Sequence, residues 1–371
     1  MRIDLVITEL PMGGAERCLT ELAIGLQRRG EAVRVLTLGP PPQGPNAALV
    51  RRLAGDRIPF LSMQASSIWS APLAFRRLRR SFATDRPQVV QTFLHHANVL
   101  GTWAARRAGV PACIGGIRVA QPSLTRAFLE RRATARMDAV VSVSHAVERF
   151  ARQHLLPASV ESTVIPNGVD LTPFRTAEPV AWTDWGLPPE AQVALFVGRL
   201  APQKGLDSLF LAAERFLRHD DRRWLVLVGE GPQRGFAEAA CQQLPGGRGR
   251  VIGWQAEIPR LLAAARLLVL TSRYEGMPNA VLEAMAASRP VVTFDVEGIA
   301  ELLGPEREHQ RIEKRDPQAF ADAVLRFFQD PAAATAQGGR NQARVAGHFS
   351  LEAMVDAYAA LYRKTREQLA T

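Results

Sequence analysis

Leu267-Leu268-Val269-Leu270-Thr271-Ser272-Arg273-Tyr274-Glu275-Gly276-Met277-Pro278-Asn279-Ala280-Val281-Leu282-Glu283-Ala284 is the stretch that decides the fold. Its opening run, 267–271, is apolar without alternation, the pattern of a strand covered on both faces. Pro278 suits the first turn of a helix, where its missing N–H has no intrahelical partner. A doubly covered strand feeding a helix predicts a parallel sheet with right-handed crossovers. The loop between them lies beyond the carboxyl end of the strand, where open α/β sheets bind ligands. The backbone of Gly276, Met277, Pro278 and Asn279 at the helix start forms an anion site. Glu275 and Glu283 flank it, and a carboxylate can accept two hydrogen bonds from a vicinal diol such as that of ribose.

The same alternation extends to both sides. Downstream of residue 190 it predicts strands at 193–197, 224–228, 250–252, 267–271 and 290–294, with helices at 205–218, 233–243, 257–264 and 279–287. In the first half it predicts strands at 3–8, 33–38, 89–92 and 140–143, with helices at 15–29 and 97–108. Prolines and glycines punctuate 166–189 and mark a boundary. The polar run 306–316 reads as a solvated edge, and 351–364 as a terminal amphipathic helix. The expected class is α/β: two Rossmann-like doubly wound domains facing a central cleft, over 1–168 and 169–350, with residues 351–371 as a terminal helix.

A length of 371 residues with 47% hydrophobic and 22% charged residues fits two globular domains with sizeable cores. Three scattered cysteines match no metal spacing and no disulfide framework, which implies a reducing compartment. The N-terminus lacks the order of a secretory signal, and no apolar run reaches the length of a membrane span. The expected location is cytoplasmic, peripheral at the inner membrane face. Residues 1–168 carry 22 basic and 11 acidic side chains, so the whole basic excess of the chain lies there. Arg76, Arg77, Arg79 and Arg80 beside Phe75, Leu78 and Phe82 form a cationic amphipathic patch suited to an anionic membrane surface.

Three further segments carry candidate chemistry. Val197-Gly198-Arg199-Leu200-Ala201-Pro202-Gln203-Lys204-Gly205 follows a strand end, and two cations five residues apart can grip a diphosphate. Cations fixed where charge builds on a leaving diphosphate favour the transition state over the ground state. One such contact is worth about 2–4 kcal/mol of barrier. Gly13 and Gly14, between the first strand and first helix, let backbone N–H groups approach a phosphate. His95 and His96 follow the strand at 89–92; adjacent histidines point different ways, which leaves one for a ligand and one for structure.

The segments GGAER (13–17), HHAN (95–98), SVSH (142–145), VIPNGVD (164–170), VGRLAPQKG (197–205), VGEGP (228–232), SRYEGMPNAVLEAMA (272–286) and PVV (290–292) resemble glycosyltransferase family 4. They occur in the family's order over most of the chain, and EGMPNAVLEA matches its motif of two glutamates separated by seven residues. The resemblance implies a GT-B-type fold with an N-terminal acceptor domain and a C-terminal nucleotide-sugar domain. The final helix would return to the first domain. It implies Glu283 on the ribose, Glu275 on the donor sugar, Arg199 and Lys204 on the diphosphate, and His96 near the transferred sugar. Transfer would proceed with retention of anomeric configuration, to a glycan or lipid-linked acceptor. One departure stands out: after Glu297–Glu301 the family carries a further strand, where this chain has the charged run 306–316.

No cofactor beyond the nucleotide-sugar co-substrate is expected, and no metal. Asp-x-Asp is absent, and Asp295-Val296-Glu297 is the nearest approach to it. With Arg199, Lys204 and helix termini present, charge stabilisation does not require Mg²⁺. A dinucleotide-dependent oxidoreductase is the alternative reading, from Gly229-Glu230-Gly231-Pro232-Gln233-Arg234-Gly235. Its glycine spacing is off by one, and no acidic residue closes the next strand. Nucleic acid is not an expected partner: aromatics are 7% of the chain and no zinc or helix-turn-helix spacing occurs.

Overall fold

The computed structural model describes residues 1–120, 124–218, 220–313 and 315–370. The chain divides into two compact units, Met1–Gly168 with Leu351–Thr371, and Val169–Ser350.

In unit 1 the order is β1 (Arg2–Ile7), α1 (Gly14–Arg28), β2 (Ala32–Thr37), α2 (Ala48–Gly55), β3 (Phe60–Ser62), α3 (Ala71–Asp85), β4 (Val89–Phe93), α4 (His95–Arg107), β5 (Ala112–Ile117), α5 (Leu124–Thr134), β6 (Ala139–Ser142), α6 (His145–His154) and β7 (Glu161–Val164). The seven strands are parallel, in the order β3-β2-β1-β4-β5-β6-β7. One core joins α1 and α2 to one side of the sheet, and a second joins α3 and α4.

Unit 2 runs α7 (Thr172–Arg175), β8 (Gln192–Val197), α8 (Leu206–Leu217), β9 (Arg223–Val228), α9 (Arg234–Gln243), β10 (Gly249–Val251), α10 (Ile258–Ala264), β11 (Leu267–Leu270), α11 (Asn279–Ala286), β12 (Val291–Phe294), α12 (Ile299–Leu303), β13 (Arg311–Ile312), α13 (Pro317–Gln329) and α14 (Pro331–His348). Its strands are also parallel, in the order β10-β9-β8-β11-β12-β13. Every residue of Leu267–Leu270 and of Val193–Phe196 is fully buried, as their unbroken apolar runs require. The last helix, α15 (Leu351–Ala370), belongs to unit 1, where Met354, Val355, Tyr358 and Tyr362 join the core of α1.

Both sheets follow the doubly wound 3-2-1-4-5-6 order. Crossovers leave the first strand in one direction and the fourth in the other, so the chain parts at β1/β4 and at β8/β11. These are the switch points at which such sheets bind ligands.

Three expectations need correction. The run 306–316 is not all solvated edge: Gln310 is fully buried and Arg311–Ile312 pairs in parallel with β12. The Gln310 amide oxygen accepts from Val291 N and from Asn341 Nδ2, and this anchors a strand too short to show periodicity. Lys314 of that run lies outside the described residues. The helix expected at 97–108 begins at His95, so both histidines sit in its first turn. Leu78 and Phe82 are buried core residues of α3, so the apolar part of the expected cationic patch faces inward.

Candidate active site

In unit 2 the loops after β8 and β11 meet at the switch point. Gly205 has φ +62°, and a Cβ there would overlap the Thr271 carbonyl oxygen. The Thr271 hydroxyl donates back to the Gly205 and Lys204 carbonyls, and Arg273 N donates to Gln203 O at 2.8 Å. These bonds clamp the β8 loop onto the β11 loop. The consequence is an ion pair: Lys204 Nζ lies 2.5 Å from Glu275 Oε1, which also accepts from Ser272 Oγ at 2.7 Å. Glu275 is 7% exposed, and its amide donates to Glu297 Oε2 at 3.1 Å. Among the described residues both side-chain bonds to Glu275 fall on Oε1, which leaves Oε2 as the acceptor the site offers.

Arg199 is exposed and has no hydrogen-bond or ion-pair partner among the described residues. The two cations of the loop are therefore not equivalent: one is spent on Glu275, the other is open. Glycines hold the neighbouring β9 loop close, since a Cβ on Gly229 (φ +143°) would overlap the Gly198 carbonyl oxygen. Close packing accounts for two of the three glycines that suggested a dinucleotide fingerprint, Gly229 and Gly231, whose Cβ would overlap the Leu200 carbonyl oxygen; Gly235 faces open space. Glu230 in the same loop pairs with Arg234 at 2.5 Å.

Pro278 is the N-cap of α11 and stands just outside the helix, a position earlier than expected. Gly276, Met277 and Pro278 are buried and Asn279 is half-buried, so the loop lies against the unit. Glu283, 6% exposed, sits in a buried stretch of α11 between Leu282 and Ala284. Ser272 and Glu297 are site residues that sequence reasoning missed. Ser272 precedes the motif glutamate by three positions, and Glu297 stands in the sequence only as the second acid of Asp295-Val296-Glu297.

In unit 1, Gly13 is the N-cap of α1 and Gly14 its first residue. The Glu16 carboxylate folds back against Gly13, so a side chain already occupies the place expected for an anion. At the end of β4, Leu94 takes φ +72°, a costly conformation for a residue with a side chain. Beyond it the two histidines diverge. His95 Nδ1 lies 3.0 Å from Glu130 Oε2, while Glu130 Oε1 accepts from Asn98 at 2.9 Å. Asn98 is tied further to Thr92 and Gly116. His95 is thus a structural member of a buried polar network, and His96 is exposed at the helix start. Among the described residues no group of three or more His, Cys, Asp or Glu side chains could hold a metal ion. No helix among them is long and apolar enough to cross a membrane.

Residues 12–173 match the model of Glycosyltransferase Family 4, and residues 191–330 that of Glycosyl transferases group 1. The putative teichuronic acid biosynthesis glycosyltransferase TuaC of Bacillus subtilis is 33% identical, over 53% of this chain but only 48% of its own length. The D-inositol 3-phosphate glycosyltransferase of Segniliparus rotundus is 27% identical over 95% of this chain and 84% of its own. Among solved structures, HepE of Anabaena in complex with UDP-glucose superposes with a TM-score of 0.84, at 20% identity, over 98% of this chain and 100% of that one. That likeness shows the two-unit GT-B fold. Two parallel doubly wound sheets, the paired-glutamate loop at a switch point and two family models in tandem lead to one assignment: the chain belongs to the family 4 type of GT-B glycosyltransferases.

Proposed function

We propose that the protein transfers a hexose or N-acetylhexosamine from a nucleotide diphosphate sugar to a glycan, glycolipid or lipid-linked acceptor, with retention of anomeric configuration. The observation that carries this reading is the Lys204–Glu275–Ser272 cluster at the β8/β11 switch point, with Arg199, unpaired among the described residues, in the same loop. In this reading unit 2 holds the donor. Arg199 and Lys204 hold the diphosphate, Glu283 the ribose, and Glu275 a sugar hydroxyl through Oε2. As the glycosidic bond breaks, negative charge grows on the departing diphosphate, and fixed cations stabilise it without reorganising. Arg199, free of a competing carboxylate, gives its charge fully; Lys204 must share between Glu275 and the phosphate. Gly13 and Gly14 also contact the donor, with Glu16 swinging aside, and His96 acts near the transferred sugar; these roles rest on the resemblance alone.

No metal is assigned a role, because two cations and the start of α11 supply positive charge. Full turnover in excess chelator supports this; total loss restored by Mg²⁺ overturns it. A panel of UDP- and GDP-sugars, scored by hydrolysis and by saturation transfer, tests the donor. The complex of HepE with UDP-glucose puts that sugar first in the panel, and TuaC's part in teichuronic acid synthesis puts surface polymers first among acceptors. Absence of binding to every nucleotide sugar, with NAD(H) binding instead, rejects the reading for the oxidoreductase.

A further inference from the structure

The two helix layers of unit 1 differ in a way the sequence does not display. On one side, α1, α2 and α15 carry seven basic and five acidic residues. On the other, α3 packs on α4 and α4 on α5, and these three carry nine arginines and two acids. Both acids have partners. Asp85 pairs with Arg34, and the buried Glu130 is bonded to His95 and Asn98. Arg76, Arg79, Arg80 and Arg131 have no ion pair among the described residues.

Exposed apolar side chains gather on the same layer. Trp69, just ahead of α3, is 90% exposed and Leu73 48%; Phe128 is 58% and Leu129 50% exposed on α5. On α3 the buried residues are Ala74, Leu78 and Phe82. At 100° per residue, Leu73, Arg76 and Arg80 fall on the opposite side, and Trp69 stands exposed in the turn that leads into the helix. On α5 the guanidinium of Arg132 lies 4.6 Å from the ring of Phe128. Each apolar pair is thus bordered by cations, and among the described residues the opposite layer exposes only Leu369 of its large apolar side chains.

We propose that the α3–α5 layer is a membrane-docking surface for a bilayer with anionic headgroups. Trp69, Leu73, Phe128 and Leu129 would enter the headgroup region, and the arginines would bind headgroup phosphates. The occupant follows from charge and apolarity together. Exposed Trp and Phe cost free energy in water, and both side-chain types suit the bilayer boundary. Unpaired arginines select negative charge. A purely electrostatic partner such as nucleic acid would leave Leu73 and Leu129 unexplained. The proposal does not depend on the donor reading, because docking is measured without any substrate.

The test is sedimentation of the full chain with vesicles of phosphatidylcholine alone or with phosphatidylglycerol. Binding to the anionic vesicles is expected to be at least tenfold tighter, and to weaken with salt. The double variant Trp69→Ala/Leu73→Ser and the double variant Arg76→Glu/Arg80→Glu should each weaken it at least fivefold with unchanged melting temperature. All four side chains are exposed, so folding should survive. No preference for anionic vesicles overturns the proposal. So does wild-type binding by both double variants, or capture of single-stranded RNA in preference to vesicles with no effect of Trp69→Ala/Leu73→Ser.

Discussion

The two switch points share a sheet order and differ in what they hold. At β8/β11 the loops are locked by backbone, through a glycine in the left-handed region and carbonyls that leave no room for a Cβ, and a lysine–glutamate side-chain pair at 2.5 Å adds to the lock. At β1/β4 Gly13 lies under the Glu16 side chain, and the fixed element is a side-chain network of His95, Glu130 and Asn98. The first arrangement suits groups that must meet growing charge without reorganising. The second fixes one histidine and leaves its neighbour exposed. A shared fold does not impose a shared site; the loops at the strand ends decide the chemistry.

The largest effect should come from unit 2. Lys204→Ala and Glu283→Ala are each expected to lower turnover at least a hundredfold, about 2.7 kcal/mol of barrier, while circular dichroism shows both variants folded; melting should fall, because each change disturbs a buried carboxylate. Wild-type rates in either variant would remove the charged switch point from the mechanism. Gly205→Ala attacks the backbone lock instead. It forces a side chain to φ +62° against the Thr271 carbonyl, so unit 2 should lose about 2–4 kcal/mol in denaturant titration.

Glu130→Ala tests the unit 1 network. Removing a buried carboxylate strands the donors of Asn98 and His95, at a cost of about 2–3 kcal/mol. If His96 works in transfer, turnover should fall with stability in Glu130→Ala, and fall alone in His96→Ala. A His96→Ala variant with wild-type turnover would restrict the chemistry to unit 2.

How much of this was legible in sequence follows from how each feature is encoded. Leu267–Leu270 and Val193–Phe196 announce themselves because a strand covered on both faces needs an unbroken apolar run. Glu275 and Glu283 were legible because motif and helix lie on one continuous segment. Ser272, Glu297 and Glu130 were not, because their partners arrive through sheet order or through loop folding that no local pattern records. Arg311–Ile312 was hidden for a related reason: two residues cannot display a period, and the buried Gln310 that anchors them is satisfied from α14 and β12. The exposure of Trp69 and the burial of Leu78 and Phe82 likewise depend on which side of α3 the sheet covers.

The smallest effect separates the two glycine loops most sharply. Gly13 has φ −145°, which any residue adopts, and the nearest atoms a Cβ would meet belong to the Glu16 side chain. Alanine there narrows the unfolded ensemble, worth about 0.4–1 kcal/mol in favour of folding. Displacing Glu16 from the helix start costs a similar amount through the lost interaction with the helix dipole. The two nearly cancel, so Gly13→Ala should shift stability by less than about 1 kcal/mol. Its effect on turnover then stands apart from folding. A rise in KM for the nucleotide sugar would support donor contact at this helix start, and unchanged kinetics would leave Gly13 as a turn. A stability loss as large as that of Gly205→Ala would break the comparison itself, since it would mean that the β1 loop is locked by backbone as well.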